Sequence, residues 1–361
     1  MSFVLAALGF MALIVLHELG HFVVAKAVGM RVERFSLFFP PLIWRHQGRG
    51  ETEYAIGAIP LGGYVKISGM NPHEELPVEV AHRAYYRQKP WKRIAVILAG
   101  PAVNIVLAFV IFGGLILTQG VPGDGAEVKS VERNLPAAGV LESGDRIVAV
   151  DGQRGDIQAL SDRIASHRCQ GELVKGCVAT TPARLTIERG GQTVHESIRP
   201  VYDAAPNRKR MRLGFMQEAV LRDAGIGDAA RGSLDQMWFV TSRTATVLGN
   251  LFDAKQRKQL HGVVGSYETA RAAVKLSLTD ALFVLGLISL SLGIVNLFPF
   301  LPLDGGHVFW AVAEKVRGKA IPFRVMERSG FVGFALVLGL FAIGLSNDIN
   351  TLLGPGFNLS R

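Results

Sequence analysis

Four stretches of this chain lack Asp, Glu, Lys and Arg over lengths that suit a lipid bilayer: residues 2–16, 94–123, 281–303 and 329–347. The first resumes after Glu18 with Phe22-Val23-Val24-Ala25. A hydrocarbon core about 30 Å thick takes about 20 helical residues, so each stretch is a candidate span. Composition agrees: 49% of the 361 residues are hydrophobic and 19% are charged, against roughly 25% charged in soluble domains. That apolar content excludes a disordered chain, and two cysteines are too few for a disulfide-built scaffold. A cleaved leader at 1–25 is disfavoured, because no Lys or Arg precedes Lys26 and polar residues interrupt the apolar run. The expected fold class is a polytopic α-helical membrane protein with four transmembrane helices.

Basic residues orient the spans. Eleven Lys and Arg lie between the first and second, five of them within residues 82–93. After Arg93 the next basic residue is Lys129. Lys315, Arg317, Lys319, Arg324 and Arg328 crowd the connection between the third and fourth. The excess of positive charge on cytoplasmic loops then predicts both termini outside and segment 26–93 inside. The net charge of +9 is thereby explained by topology, and with no recognisable reading module no nucleic-acid partner is expected. The expected division is spans at 1–25, 94–120, 281–303 and 329–347. Between them lie a cytoplasmic segment 26–93, an extracytoplasmic domain 121–205, a linker with a surface helix at 206–280 and a cytoplasmic connection 304–328. Residues 348–361 form an exported tail.

In the exported segment, Ala126-Glu-Val-Lys-Ser-Val, Arg146-Ile-Val-Ala-Val and Ala183-Arg-Leu-Thr-Ile-Glu alternate as strands do, with turn signals at Asp151-Gly152 and Gly190-Gly191. With the Gly144-Asp145 turn, this α+β stretch resembles the PDZ domains of bacterial proteases, which implies a groove where an extended peptide adds to a sheet edge. A different small β-domain is the alternative. Cys169 and Cys177 fall here, and an oxidising compartment favours a disulfide over two free thiols. Residues 226–252 mix apolar and charged residues at helical spacing, giving an amphipathic helix on the membrane surface or one packed on the exported domain.

The chemistry is concentrated in His17-Glu18-Leu19-Gly20-His21. On a helix His17 and His21 share a face one turn apart, where both imidazoles can hold one Zn²⁺, and Glu18 beside them can take a proton from metal-activated water. Two histidines and a glutamate inside an apolar span are costly and need partners. A catalytic zinc usually takes three protein ligands. Asp304 is the leading candidate, in Asn296-Leu-Phe-Pro-Phe-Leu-Pro-Leu-Asp304-Gly-Gly-His307, where prolines and glycines argue against continuous helix. His307 competes for the place, and a capped turn at the membrane edge is the structural alternative for Asp304. Irregular backbone at membrane depth is tolerated when buried in protein or lining a wet cavity.

The pairing of His17-Glu18-x-x-His21 with Leu303-Asp304-Gly305-Gly306 resembles the site-2 protease family of intramembrane zinc metalloproteases, in its PDZ-bearing bacterial branch of regulator-of-sigma-E proteases. Ile59-Pro-Leu-Gly-Gly-Tyr-Val-Lys66, Lys89-Pro-Trp-Lys-Arg93, Ala99-Gly-Pro-Ala-Val-Asn104 and Asn296-Leu-Phe-Pro299 extend the likeness along nearly the whole chain. Leu301, where many members carry proline, Gly262-Val-Val-Gly265-Ser and the single PDZ unit depart from the pattern. The resemblance implies His17, His21 and Asp304 as zinc ligands, Glu18 as catalytic base and Asn296 as a contact to the substrate backbone. It also implies a membrane-associated β-hairpin at about 52–67, its strands flanking Pro60-Leu-Gly-Gly63, whose Gly62, Gly63 and Tyr64 would line an edge for extended substrate. The implied activity is cleavage within or near the transmembrane segment of single-span proteins, such as anti-sigma factors or remnant signal peptides, in regulated intramembrane proteolysis. The implied place is the bacterial inner membrane. The rival readings are a membrane-anchored quality-control zinc protease acting on non-spanning substrates, and a non-catalytic PDZ membrane scaffold.

Overall fold

The computed structural model describes residues 2–71, 74–171, 173–204, 210–250, 263–319 and 321–353. The chain divides into two compact units, Met1–Leu115 with Ala229–Arg361, and Ile116–Asp228. In chain order the elements are α1 (Ser2–Ala27), β1 (Val32–Gln47), β2 (Glu53–Ile67), α2 (Val78–Ala81), α3 (Pro90–Gln119), β3 (Val121–Val131), β4 (Arg146–Val150), β5 (Gln153–Arg154) and α4 (Ile157–Ala165). There follow β6 (Ala183–Arg189), β7 (Gln192–Ile198), β8 (Val201–Asp203), β9 (Arg210–Arg212), β10 (Phe215–Arg222) and α5 (Ile226–Gly249). The chain continues through α6 (Val263–Leu276), α7 (Leu278–Asn296), α8 (Asp304–Arg317) and α9 (Phe323–Leu353).

Four of these helices, α1, α3, α7 and α9, are long and apolar enough to cross a membrane. Their ends follow local chemistry rather than the limits of the apolar runs. α3 begins at Pro90, before its apolar stretch, because proline's missing N–H costs nothing in a first turn. α7 starts on a Ser277 cap, whose hydroxyl accepts from Asp280 N–H at 2.9 Å. It stops at Asn296, seven residues short of the expected 303, ahead of Pro299 and Pro302. α8 then opens on Asp304 itself, so most of the expected cytoplasmic connection is helical. α9 extends beyond 329–347 at both ends, since charged residues outside lipid can continue a helix.

Helices in the first unit approach through small residues. A Cβ at Gly20 would collide with the Ala99 carbonyl, so α1 and α3 touch backbone to backbone. Ser289 of α7 donates to Asn104 O at 2.9 Å, and Gly293 faces Pro101. Ala25, Val32, Ile67, Tyr85, Val96 and Ile97 form a buried cluster joining α1, β1, β2 and α3.

The β1–β2 pair corrects the expected hairpin. Residues 53–57 and 63–67 belong to one strand and do not pair with each other. Gly63 to Ile67 pair with Leu37 to Val32, whereas Glu53 to Gly57 pair with Gln47 to Leu42 and Glu53 to Ile56 also with Arg34 to Leu37. β1 turns at Phe38, whose φ of 69° lies in the left-handed region. The apolar run Phe38-Phe39-Pro40-Pro41 carries no turn signal of the Asn-Gly kind, which is why the residues around Pro60 drew the assignment instead.

The second unit is an antiparallel sheet in the order β10-β3-β4-β6-β7, with β5 paired to β4. Ala183, Leu185 and Ile187 alternate inward along β6 and meet Leu160 and Ile164 of α4 in the core. The two signalled turns hold: Gly190-Gly191 and Asp151-Gly152 each have positive φ at both positions, as two-residue hairpins with right-handed strand twist require. Cys169 and Cys177 form a disulfide. The expected charged linker at 207–210 lies outside the described residues except for Arg210, as does 354–361 of the expected tail.

Candidate active site

His17 and His21 sit one turn apart on α1, both buried, with their Nε2 atoms 3.3 Å apart. Both rings are held from behind by α3. The Nδ1–H of His21 donates to Val96 O at 2.8 Å. A carbonyl can only accept, so this contact places the proton on Nδ1 and leaves a lone pair on Nε2. His17 Nδ1 lies 3.2 Å from Asn104 Nδ2, while buried Asn104 Oδ1 lacks a hydrogen-bond partner. With the amide's nitrogen and oxygen exchanged, His17 Nδ1–H donates to Asn104 Oδ1, the tautomer that turns its Nε2 lone pair toward His21 and Asp304.

Asp304 closes the set. Its Oδ2 stands 3.2 Å from each Nε2, and His17, His21 and Asp304 are the one cluster of three such groups among the described residues. Glycines bring it there. A Cβ at Gly305 would collide with the Leu297 carbonyl, one at Gly306 with the Phe300–Leu301 backbone, and one at Gly333 of α9 with the Leu301 carbonyl. The 297–303 segment is thus folded tightly under the first turn of α8, with no room for side chains at these positions. His307 is not part of the set; its ring faces Tyr85 at 6.5 Å.

The donor atoms fit a zinc ion. Two imidazole nitrogens and a carboxylate oxygen converge at 3.2–3.3 Å, and Asp304 Oδ2 is buried without a hydrogen-bond partner. Such a set repels itself unless a cation is shared. A tetrahedral Zn²⁺ with bonds of about 2.0–2.1 Å separates its ligands by about 3.3 Å. Gly100 of α3 keeps this space open, since a Cβ there would press into both Nε2 atoms.

Glu18 lies beside the cluster, against β2. The Val65 N–H donates to its carboxylate, and a Cβ at Gly63 would crowd Glu18 Cγ and Ser36 O. The segment Gly63–Ile67 is paired on one side only, with β1. A groove of about 440 Å³ runs along it, lined by Tyr64, Val65, Lys66, Ile67, Met70, Asn71 and Glu74. Glu33 braces the strand: Lys66 Nζ stands 2.6 Å away and Ser68 Oγ donates at 2.7 Å. Burial pushes the Glu33 carboxyl up, but those two hydrogen bonds outweigh it and hold its pKa below the usual carboxylate value.

The other expected substrate contacts divide. Gly63 reaches the cluster through Glu18, whereas Gly62 lies against the Phe39 ring. Tyr64 stacks on Phe39 at 6.0 Å, and its hydroxyl accepts from Arg34 at 3.2 Å. Asn296 is the half-buried last residue of α7. Sequence reasoning missed Val96, Gly100 and Asn104 as parts of the site. Asn104, a polar residue inside an apolar span, was the available signal.

The pattern of peptidase family M50 matches residues 5–340. The chain belongs to this family, the site-2 protease family of zinc metalloproteases. It is 30% identical to a candidate zinc metalloprotease of Brucella suis over 92% of this chain and 91% of that one. A second, from Clostridium perfringens, is also 30% identical, over 97% and 98%. Among solved structures, the PDZ domain of an SdrC-like protein from Listeria innocua is similar to part of the chain, 23% identical over 28% of this chain and 99% of that one, with a TM-score of 0.22. The M50 chain is therefore a membrane protein and a zinc metalloprotease.

Proposed function

We propose that this protease cleaves a peptide bond within or near the transmembrane segment of single-span membrane proteins, with His17, His21 and Asp304 as zinc ligands and Glu18 as general base. The observation that carries this reading is the position of the candidate ligands: two lie on an apolar helix of spanning length, and the third opens the helix after another. A protease acting only on aqueous substrates has no need of a metal there. When bound, zinc supplies a Lewis acid that polarises the scissile carbonyl and acidifies water.

The chain's own residues do the rest. Val96 and Asn104 keep the imidazole lone pairs turned toward the metal. Glu18 accepts a proton from water and returns it to the leaving amine. A substrate helix must unwind first, and each freed backbone group then needs a partner in a dry medium. The one-sided strand Gly63–Ile67, next to Glu18, offers N–H and C=O groups for that purpose. Asn296 contacts the substrate backbone beyond that edge.

The 116–228 unit is read as an extracytoplasmic PDZ domain that filters substrates by the bulk of their exported portion. Anti-sigma factors whose exported portion another protease has already trimmed, and signal-peptide remnants, are the substrate classes that suit such a filter. The site-bearing ends then face the cytoplasm of a bacterial inner membrane. α5 carries exposed Leu234, Trp238 and Phe239 beside Arg231 and Arg243, which suits a helix lying in the membrane interface. The test is metal analysis together with cleavage of a tagged single-span substrate in detergent, by wild type, Glu18→Gln and Asp304→Ala. Zinc with cleavage in the wild type, zinc without cleavage in Glu18→Gln and neither in Asp304→Ala is expected; full cleavage by Glu18→Gln would refute the assignment.

A further inference from the structure

The motif Lys89-Pro-Trp-Lys-Arg93 has no part in the proposed chemistry, yet its last two side chains make specific contacts. Lys92 Nζ donates to Val28 O at 2.8 Å, just past the end of α1. Arg93 Nη1 pairs with Glu314 Oε2 at 2.5 Å, in the last turns of α8. Both members of that pair are largely buried, with side-chain exposures of 9% and 14%. The guanidinium also lies over the Tyr85 ring at 5.0 Å, and Glu314 Oε1 accepts from Ile321 N–H at 3.3 Å. Adjacent residues in the first turn of α3 thus grip the two helices that carry the candidate metal ligands.

We infer that Lys92 and Arg93 are positioning residues for the metal centre, and that the Arg93–Glu314 pair sets the distance between the Asp304 carboxylate and the imidazoles. This inference rests on the ligand assignment proposed above. α3 already orients both imidazoles through Val96 and Asn104. Asp304, by contrast, begins α8 after Leu303, a cap with no side-chain hydrogen bond. The far end of α8, ten residues and about 15 Å along its axis, is where a charged pair fixes it to α3. A buried pair that loses one partner leaves an uncompensated charge, so α8 would shift to release it. A shift of the carboxylate by a fraction of an ångström is then felt at the metal.

The experiment measures zinc affinity of the full-length protein in detergent against a graded chelator, with Co²⁺ absorption as a record of ligand geometry. Glu314→Gln and Arg93→Gln should each weaken zinc binding about ten- to a hundredfold and alter the Co²⁺ spectrum. Arg93→Lys should recover part of the loss, and Lys92→Met should cost less than either. Thermal unfolding of the metal-free protein is followed in parallel. Variants that unfold more easily but keep wild-type zinc affinity and spectrum would mark the pair as merely structural and overturn the inference. Asp304→Asn separates the two claims: if it also binds zinc as the wild type does, the ligand assignment fails. If it loses zinc while the Arg93 and Glu314 variants keep it, only the positioning role fails.

Discussion

Among the described residues two buried histidine–carboxylate arrangements occur, one in each unit, and they differ in what is left unsatisfied. In the 116–228 unit, His167 Nε2 meets Asp151 Oδ2 at 3.0 Å, while its Nδ1 lies 3.0–3.1 Å from the hydroxyl and carbonyl of Thr181. Asp151 Oδ1 accepts from Arg184 N–H at 2.9 Å, and Arg163 Nε donates to Oδ2 at 3.0 Å. Donors and acceptors there are matched, so the set ties β4, β6 and the end of α4 together. At His17, His21 and Asp304 the outer nitrogens are held and the three inner atoms face one another as lone pairs. The same residue types make a staple where each is matched with a partner, and a candidate ligand shell where three donor atoms converge.

That contrast can be broken at several points. The largest expected effect is that of Glu18→Gln, a loss of about 10²–10⁴-fold in cleavage with zinc content unchanged, read by substrate cleavage and metal analysis. Loss of the zinc as well would make Glu18 part of the shell. Gly100→Ala, which puts a methyl group into the space between the imidazoles, should weaken zinc binding about 10–100-fold without altering hydrogen exchange in the 116–228 unit.

The closed set should behave oppositely. Asp151→Asn should lower local stability at neutral pH by about 1.5–3 kcal/mol, measured by hydrogen exchange of β4 and β6 amides in the full-length protein, with zinc content unaffected. Its pH dependence has a definite sign. Burial pushes the Asp151 carboxyl up, but the Arg184 N–H, His167 and Arg163 outweigh it, so the folded-state pKa lies below the unfolded value of about 3.9. The stabilisation is then complete above about pH 5 and disappears as pH falls through the folded pKa, and Asp151→Asn should abolish that acid-dependent part. The smallest effect, about 1 kcal/mol at the same amides, is expected for His167→Asn, which keeps some of the hydrogen bonding. Zinc loss in either variant would contradict the division between staple and shell.

The candidate cluster was readable from sequence to the extent that side-chain identity carries it. His17, Glu18 and His21 stand at helical spacing inside an apolar run, and Asp304 is an acid among prolines and glycines at the end of another. The backing was not readable in the same way. A backbone carbonyl such as Val96 O looks the same in every residue, and Gly100 has meaning only once α1 is known to cross α3 at Gly20. The β1–β2 arrangement was misread for a related reason. Pro60-Leu-Gly-Gly63 is a strong local turn signal, whereas the partners of Gly63–Ile67 lie thirty residues upstream in a run whose alternation is blurred by Phe38-Phe39-Pro40-Pro41.

The amino-acid order alone determined four apolar helices of spanning length, a two-residue turn at Gly190-Gly191, and a set of histidines and acids costly enough in an apolar setting to demand a purpose. Those follow from local periodicity and from the cost of burying polar groups, which depend on few neighbours. Only the tertiary structure decided that Asp304 comes within 3.2 Å of both imidazoles, that α3 supplies their outer hydrogen bonds, and that Arg93 and Glu314 join α3 to α8. The first two depend on where glycines let one backbone approach another, and all three are properties of packed pairs of elements.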